Sequence, residues 1–211
     1  MRIMRARTVL ISLAVVLAGS LCASASAADL VDVRRYASSI QVDVRYATPN
    51  NFTGAPLAGY CQPTALMLRP RARALARVQR ALGRRGLGLK VFDAYRPARA
   101  SRAMVRWVRR TDNGELLRDG YIAPKSNHNL GSTVDLTLIR RRSGRQLDMG
   151  TAFDAFTPRA NTTRARGRVL RNRLILKNAM EDQSFVNYFR EWWHFDSEEP
   201  GARRLDVAIG C

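Results

Sequence analysis

Histidine is almost absent from this chain, with two residues among 211, His128 and His194. Any chemistry that needs more than two imidazoles is therefore excluded. Cysteine is nearly as scarce, with three residues. After the first residues there is no internal repeat, no low-complexity block and no Pro/Gly/Ser-rich linker, so the chain reads as one ordinary domain, long enough to bury a real core. The apolar run from Val9 to Leu21 falls short of the ~20 residues of a comfortable membrane span. Acidic residues are outnumbered, 17 Asp and Glu against 36 Lys and Arg, for a net charge of +19. Nearly all of that excess is arginine spread along the chain. It favours anionic surroundings such as nucleic acid, membrane headgroups or an acidic cell-wall polymer, and says little about fold. The aromatic–basic motifs of a nucleic-acid module are missing.

What is present begins with a leader. Arg2, Arg5 and Arg7 precede the apolar run, and small residues follow from Ala23 to Ala28. That is the layout of a secretory signal peptide, with cleavage after Ala25 or Ala27 both fitting A-x-A. Lipidation at Cys22 would want a small residue where Leu21 stands. Residues 1–27 are set aside, leaving 28–211 as the working domain of a protein exported from a bacterial cell, periplasmic or secreted, with no stable membrane span after cleavage. Export also removes nucleic acid as a partner. Two cysteines then remain, Cys61 and Cys211. An even count in an oxidising compartment predicts a disulfide between the C-terminus and an early loop, with two free thiols as the alternative.

Periodicity sketches the elements. Ile40, Val42, Val44 and Tyr46 alternate with polar neighbours, as in a half-buried strand, and 47–63 is loop-like. Leu75, Val78 and Leu82 repeat at helical spacing, with Pro70 in the first turn and Gly83 or Gly86 at the end. Residues 87–94 read as a strand stopped by Pro97, 98–110 as a basic amphipathic helix with Met104, Trp107 and Val108 inward, and 134–139 as a strand. A helix over 169–180 would line one face with Leu170, Leu174 and Met180, and a last strand surrounds His194 and Phe195. Helices and strands mix without strict alternation, so the fold class is α+β, a central mostly antiparallel sheet packed by helices.

Both histidines sit among acids. His128 and Asp135 lie in Ser126-Asn127-His128-Asn129-Leu130-Gly131-Ser132-Thr133-Val134-Asp135; Glu191 precedes His194 in Glu191-Trp192-Trp193-His194. A catalytic zinc takes three protein ligands from imidazole nitrogen and carboxylate oxygen and keeps a fourth place open. Asp135 interrupts an apolar strand, where an unpaired carboxylate is costly and a metal would relieve it. Gly131 permits a sharp turn between the two. Glu191 and His194 would share a face on a helix but point apart on a regular strand, so both reach one metal only across a bend or bulge. The tryptophans there read as wall and core.

The pair S-x-H-x-x-G-x-x-x-D and E-x-W-H resembles the D-alanyl-D-alanine dipeptidases of the vancomycin-resistance type, zinc peptidases with a hedgehog-like fold. The likeness extends over Tyr46-Ala47-Thr48, Asn51 to Gly54, Gly59-Tyr60, Asp93 to Pro97, Gly120 to Ala123, and Met149-Gly150 with Phe153-Asp154. The resemblance implies one zinc per chain on His128, Asp135 and His194, Glu191 as general base and acid, and Arg96 steadying the oxyanion. It implies further that Asp154 receives the ammonium end of a small dipeptide, and that Ser126, Tyr46 and Tyr60 line the pocket. Asn127 departs from the family's second serine and Thr133 from its usual alanine. The implied reaction is D-Ala-D-Ala hydrolysis in wall turnover or scavenging. The rivals are a D,D-carboxypeptidase trimming terminal D-Ala from peptidoglycan and a non-catalytic zinc module that binds wall polymer.

Overall fold

The computed structural model describes residues 29–211. The leader, its cleavage site and Cys22 lie outside the described residues. The chain runs β1 (Leu30–Asp32), β2 (Gln41–Val42), β3 (Leu66–Leu68), α1 (Arg69–Gly83), β4 (Leu87–Asp93), α2 (Ala98–Arg110), α3 (Glu115–Arg118), β5 (Val134–Arg140), α4 (Gly167–Glu181), β6 (Val186–Asn187) and β7 (His194–Asp196). β1 and β3 form an antiparallel pair, and the main sheet has five strands in the order β2-β4-β5-β7-β6. Only the β2–β4 pairing in that sheet is parallel. The class is α+β, as the mixed pattern of elements predicts.

β4 and β5 carry nearly continuous apolar residues because helices cover the sheet. α1 and α4 pack on each other and against these strands, burying Leu75, Val78, Leu82, Leu89, Val91, Leu136, Leu138, Leu176 and Met180 in one core. α1 begins with Pro70, whose missing N–H costs nothing in a first turn. Two readings need correction. The alternating segment 40–46 forms strand only at Gln41–Val42, then tightens into a 3₁₀ turn over Arg45–Ala47. The turn still buries Val44 and Tyr46, so the apolar pattern marks burial without marking conformation. In α4, Leu170 and Leu174 are only half buried, while Arg173 is buried at 1% exposure. Its guanidinium donates to the carbonyls of Met149, Arg159 and Asn161. A loop whose carbonyls have no sheet partner needs donors, and that need decides which face of α4 turns inward.

Three features of the frame position the site. β4 bulges between Val91 and Asp93, so Val91 faces Leu136 while Asp93 faces Asp135; bulges of this kind re-aim side chains. β5 and β7 then set Asp135 directly opposite His194. Finally, the C-terminal segment is stitched across the loops that follow β4 and precede β5. Leu205 donates to the Asn129 carbonyl at 2.9 Å, Ala98 donates to the Leu205 carbonyl at 3.1 Å, and Ile209 donates to the Gly59 carbonyl at 2.8 Å. Cys61 and Cys211 are disulfide-bonded across a sequence separation of 150, closing that strap as the even cysteine count predicts.

Candidate metal centre and active site

His128 sits on a 3₁₀ turn over Asn127–Leu130, started by Ser126, whose hydroxyl accepts from the His128 N–H at 3.3 Å. Gly131 ends that turn at φ 74°, and a Cβ there would stand 2.8 Å from the Leu30 side chain, so the turn into β5 requires glycine. Glu191 and His194 are joined by a tight turn in which the His194 N–H donates to the Glu191 carbonyl at 3.2 Å. This is the bend that lets two side chains three residues apart face one centre. Trp192 and Trp193 on the turn are buried; Trp193 packs edge-on to Phe153 and lines the cleft.

The donors converge. His128 Nε2 lies 3.3 Å from His194 Nδ1 and 3.3 Å from Asp135 Oδ2, and His194 Nδ1 lies 2.9 Å from Asp135 Oδ1. One ligand atom from each residue lies within 4.8 Å of the others, the one such group among the described residues. The outer ring nitrogens have oxygens of their own: Ala94 O is hydrogen-bonded at 2.6 Å to His128 Nδ1, and the Asp196 carboxylate stands at ion-pair distance, 3.3 Å, from His194 Nε2. If those nitrogens carry the protons, two lone pairs and a carboxylate point at one spot. Such an arrangement is repulsive unless a cation sits there, and outer acceptors of this sort are how metal-binding histidines are oriented. Two nitrogens each about 2.0–2.1 Å from a tetrahedral ion stand about 3.3 Å apart, so the donors fit a small divalent metal.

Without an ion, protons supply the balancing charge. Burial opposes ionisation of Asp135, yet His128 and His194 overcome it and hold that carboxyl below the usual range. Burial would lower the His194 pKa, but hydrogen bonds and charge from Asp135 and then Asp196 raise it well above the ordinary value. Asp196 is itself held down to about 2, against burial, by the neighbouring His194 and then by the Thr133 hydroxyl. Burial pushes Glu191, 3.8 Å from His194 Nδ1, up to about 8.

Arg96 is no surface arginine. It is buried at 8% exposure, gripped by Asp93 through Nε at 2.9 Å and Nη2 at 2.8 Å, and lies 3.7 Å from Asp135 Oδ2. Its guanidinium stacks 4.9 Å from the Tyr46 ring centroid. Tyr46 Oη donates to Asp154, 3.1 Å from each carboxylate oxygen. Asp154 occupies the left-handed region at φ 59°, a costly conformation outside glycine that clusters at functional sites. Burial first, then the charges of Asp135 and Glu191, push its pKa well up. Ser126, Tyr46, Arg96, Asp154 and Glu191 line one cleft with the metal donors, about 240 Å³ in volume. That is below the ~300–1,000 Å³ typical of drug-sized ligands. Tyr60 stands behind the cleft lining, donating to Asp93 Oδ1 at 2.6 Å.

Asp196 and Arg173 have no place in the sequence reading, and Asp93 enters it only as the first residue of the Asp93-to-Pro97 run. Asp196 follows His194 by two residues on a strand, the spacing that puts both on one face, and this signal was readable. The bulge that brings in Asp93 and the loop carbonyls that require Arg173 leave no local pattern.

Three protein donors with room for a fourth, and a carboxylate that stays beside them, are the means by which metallopeptidases cut amide bonds; this is a metallopeptidase. More narrowly, the chain belongs to the peptidase family described as D-ala-D-ala dipeptidase, whose family model matches residues 26–207. The hedgehog-like fold of that family agrees with the architecture above. Among curated relatives, the D-alanyl-D-alanine dipeptidase of Enterococcus faecium is 33% identical over 172 residues, covering 74% of this chain and 85% of that protein. The protein of the same name from Streptomyces coelicolor A3(2) is 34% identical over 191 residues, 82% and 93% of the two chains. That of Escherichia coli K12 is 34% identical over 170 residues, 80% and 84%.

Proposed function

We propose that this protein hydrolyses the peptide bond of D-alanyl-D-alanine, with one zinc ion held by His128, Asp135 and His194. The observation that carries the reading is the convergence of those three donors in a cleft that also contains Asp154. Zinc suits a set of two imidazoles and one carboxylate. Bound there, it would polarise the scissile carbonyl and make a water molecule nucleophilic near neutral pH. Glu191 takes the proton of the attacking water and passes it to the leaving amine. Arg96, fixed by Asp93, steadies negative charge as it develops on the carbonyl oxygen. Asp154, with Tyr46 on its carboxylate, receives the substrate ammonium. Ser126 and Asn127 border the cleft on the His128 loop, where the substrate carboxylate would lie.

A D,D-carboxypeptidase would need an open path for a longer peptide where the Asp154–Tyr46 pair stands. A purely structural metal site has no use for a buried glutamate beside it. The test is hydrolysis of a panel: D-Ala-D-Ala, L-Ala-L-Ala and an N-acylated tripeptide ending in D-Ala-D-Ala. The free D,D dipeptide is expected to be cut, the activity to vanish on metal chelation, and stoichiometric zinc to restore it. Preference for the N-acylated substrate would transfer the reading to the carboxypeptidase.

The setting we propose is outside the cytoplasm, after removal of residues 1–27. The disulfide supports this, since such bonds persist in oxidising compartments; among the described residues no helix is long and apolar enough to cross a membrane. The cytoplasm is where precursor dipeptide is made, so an exported enzyme fits scavenging from wall turnover better than antibiotic resistance. The basic surface suits an anionic wall polymer. Arg80, Arg84, Arg85, Arg141 and Arg171 line two adjoining hollows, with Asp182 the one carboxylate among the lining residues. None of the five is ion-paired among the described residues. They gather where Leu87 faces Arg140, at the end of the β4–β5 ladder away from Asp93 and Asp135, roughly 20 Å along the strands. Adsorption to a phosphate-bearing wall polymer should weaken with salt and with the double change Arg84→Ser, Arg85→Ser; adsorption indifferent to both would reject this surface.

A further inference from the structure

Thr133 has entered no step above, and Asp196 only as the carboxylate beside His194 Nε2. The β5–β7 register pairs Val134 with Phe195 and Asp135 with His194, which sets Thr133 beside Asp196 at the next place along the ladder. The Thr133 hydroxyl donates to Asp196 Oδ1 at 2.7 Å, and the same oxygen lies 3.3 Å from His194 Nε2. Thr133 is fully buried.

The two imidazoles are held by unlike means. His128 is buried, and its outer nitrogen meets a backbone carbonyl, Ala94 O, which cannot rotate away. The side chain of His194 is 15% exposed, and its outer nitrogen meets a carboxylate that is 34% exposed. A half-exposed aspartate has several rotamers and water to solvate them. The Thr133 hydroxyl removes that freedom, because turning the carboxylate outward would strand a buried donor, at the cost of an unmade hydrogen bond. With Asp196 fixed, its carboxylate stays 3.3 Å from Nε2 and favours a proton there by charge, while Nδ1 keeps its lone pair toward His128 Nε2 and Asp135.

We propose that Thr133 and Asp196 are a positioning pair that sets the His194 ring and its tautomer for metal binding. The inference rests on the reading of His128, Asp135 and His194 as a metal site. Neither residue touches substrate in this role; both act through His194. Losing an outer acceptor of a metal-bound histidine typically weakens metal affinity about 10–100-fold.

The experiment uses the parent protein, Asp196→Ala, the near-isosteric Thr133→Val and the conservative Thr133→Ser. Zinc affinity is measured by competition with a chromogenic chelator, and the protonated nitrogen of each histidine by ¹⁵N NMR on zinc-loaded protein. With only two histidines the rings are told apart by which nitrogen faces the metal, Nε2 of His128 and Nδ1 of His194. The expected result is a loss of affinity of about 10–100-fold in Asp196→Ala and about 10-fold in Thr133→Val, near-parent affinity in Thr133→Ser, and a protected His194 Nε2–H signal that weakens in Thr133→Val. Zinc affinity and His194 signals equal to parent in both Asp196→Ala and Thr133→Val would overturn the pair. So would a fall in metal-free melting temperature with neither property changed, which would show that the contact only ties β5 to β7. If the parent itself takes up no zinc, the metal-site reading fails at its root, an outcome distinct from unaltered binding in the variants.

Discussion

Glu191→Gln is expected to lower kcat for D-Ala-D-Ala by about 10²–10⁴-fold, the usual worth of a positioned acid–base group, while one zinc per chain remains bound. The substitution keeps the shape of a buried side chain and removes only its ability to take a proton. The turn that carries it is held by backbone, the His194 N–H to the Glu191 carbonyl, with the Asn187 side-chain amide on the same carbonyl at 3.1 Å, so the ligand His194 stays in place. Burial raises the Glu191 carboxyl to about 8, and the charge of a zinc ion beside it would favour the carboxylate, the form that accepts a proton. The measurement is steady-state kinetics beside metal analysis of the same sample. Full activity in a zinc-loaded variant would remove Glu191 from the reaction.

Asp154→Asn should separate substrates more than it lowers catalysis in general. Asparagine keeps the side-chain outline and tolerates the left-handed backbone at φ 59°, so the loop survives. What disappears is the carboxylate that an incoming ammonium would hold in its charged form against the burial that otherwise raises its pKa, a loss of about 3 kcal/mol for a buried charged pair, or roughly 100-fold in kcat/KM for the free dipeptide. An N-acylated substrate has no ammonium and should be cut no worse than before. Competition kinetics between D-Ala-D-Ala and its N-acetyl derivative reads this directly. An equal fall for both would make Asp154 a structural residue, and the dipeptidase preference would need another source.

Much of this was legible in linear order. The apolar runs of β4 and β5, the 3.6-residue period of α1 and α2 and the turn glycine Gly131 each report a local rule, and each element lies within a residue or two of where the pattern predicts it. The clustering of the three candidate donors was legible for another reason. Histidine is so scarce here, and so placed among acids, that few alternatives were left. Arg173 shows the limit. Its burial depends on three carbonyls of a loop that comes before it in the chain, and nothing in the helical period distinguishes it from the exposed arginines around it. Thr133, which reads as a harmless departure from the family's alanine, bonds the side chain behind His194, a contact visible only across paired strands.

Composition and local pattern alone pointed to an α+β chain, a disulfide between Cys61 and Cys211, and two histidine motifs suited to a metal. Periodicity, turn chemistry and residue type act over a few neighbours, so they survive being read one letter after another. Tertiary structure decided which carboxylates count. A one-residue bulge sets Asp93 against Asp135, and the β5–β7 register sets Asp135 against His194 and Thr133 against Asp196. Strand register depends on how distant segments bury their apolar faces together, and that is a property of the folded chain.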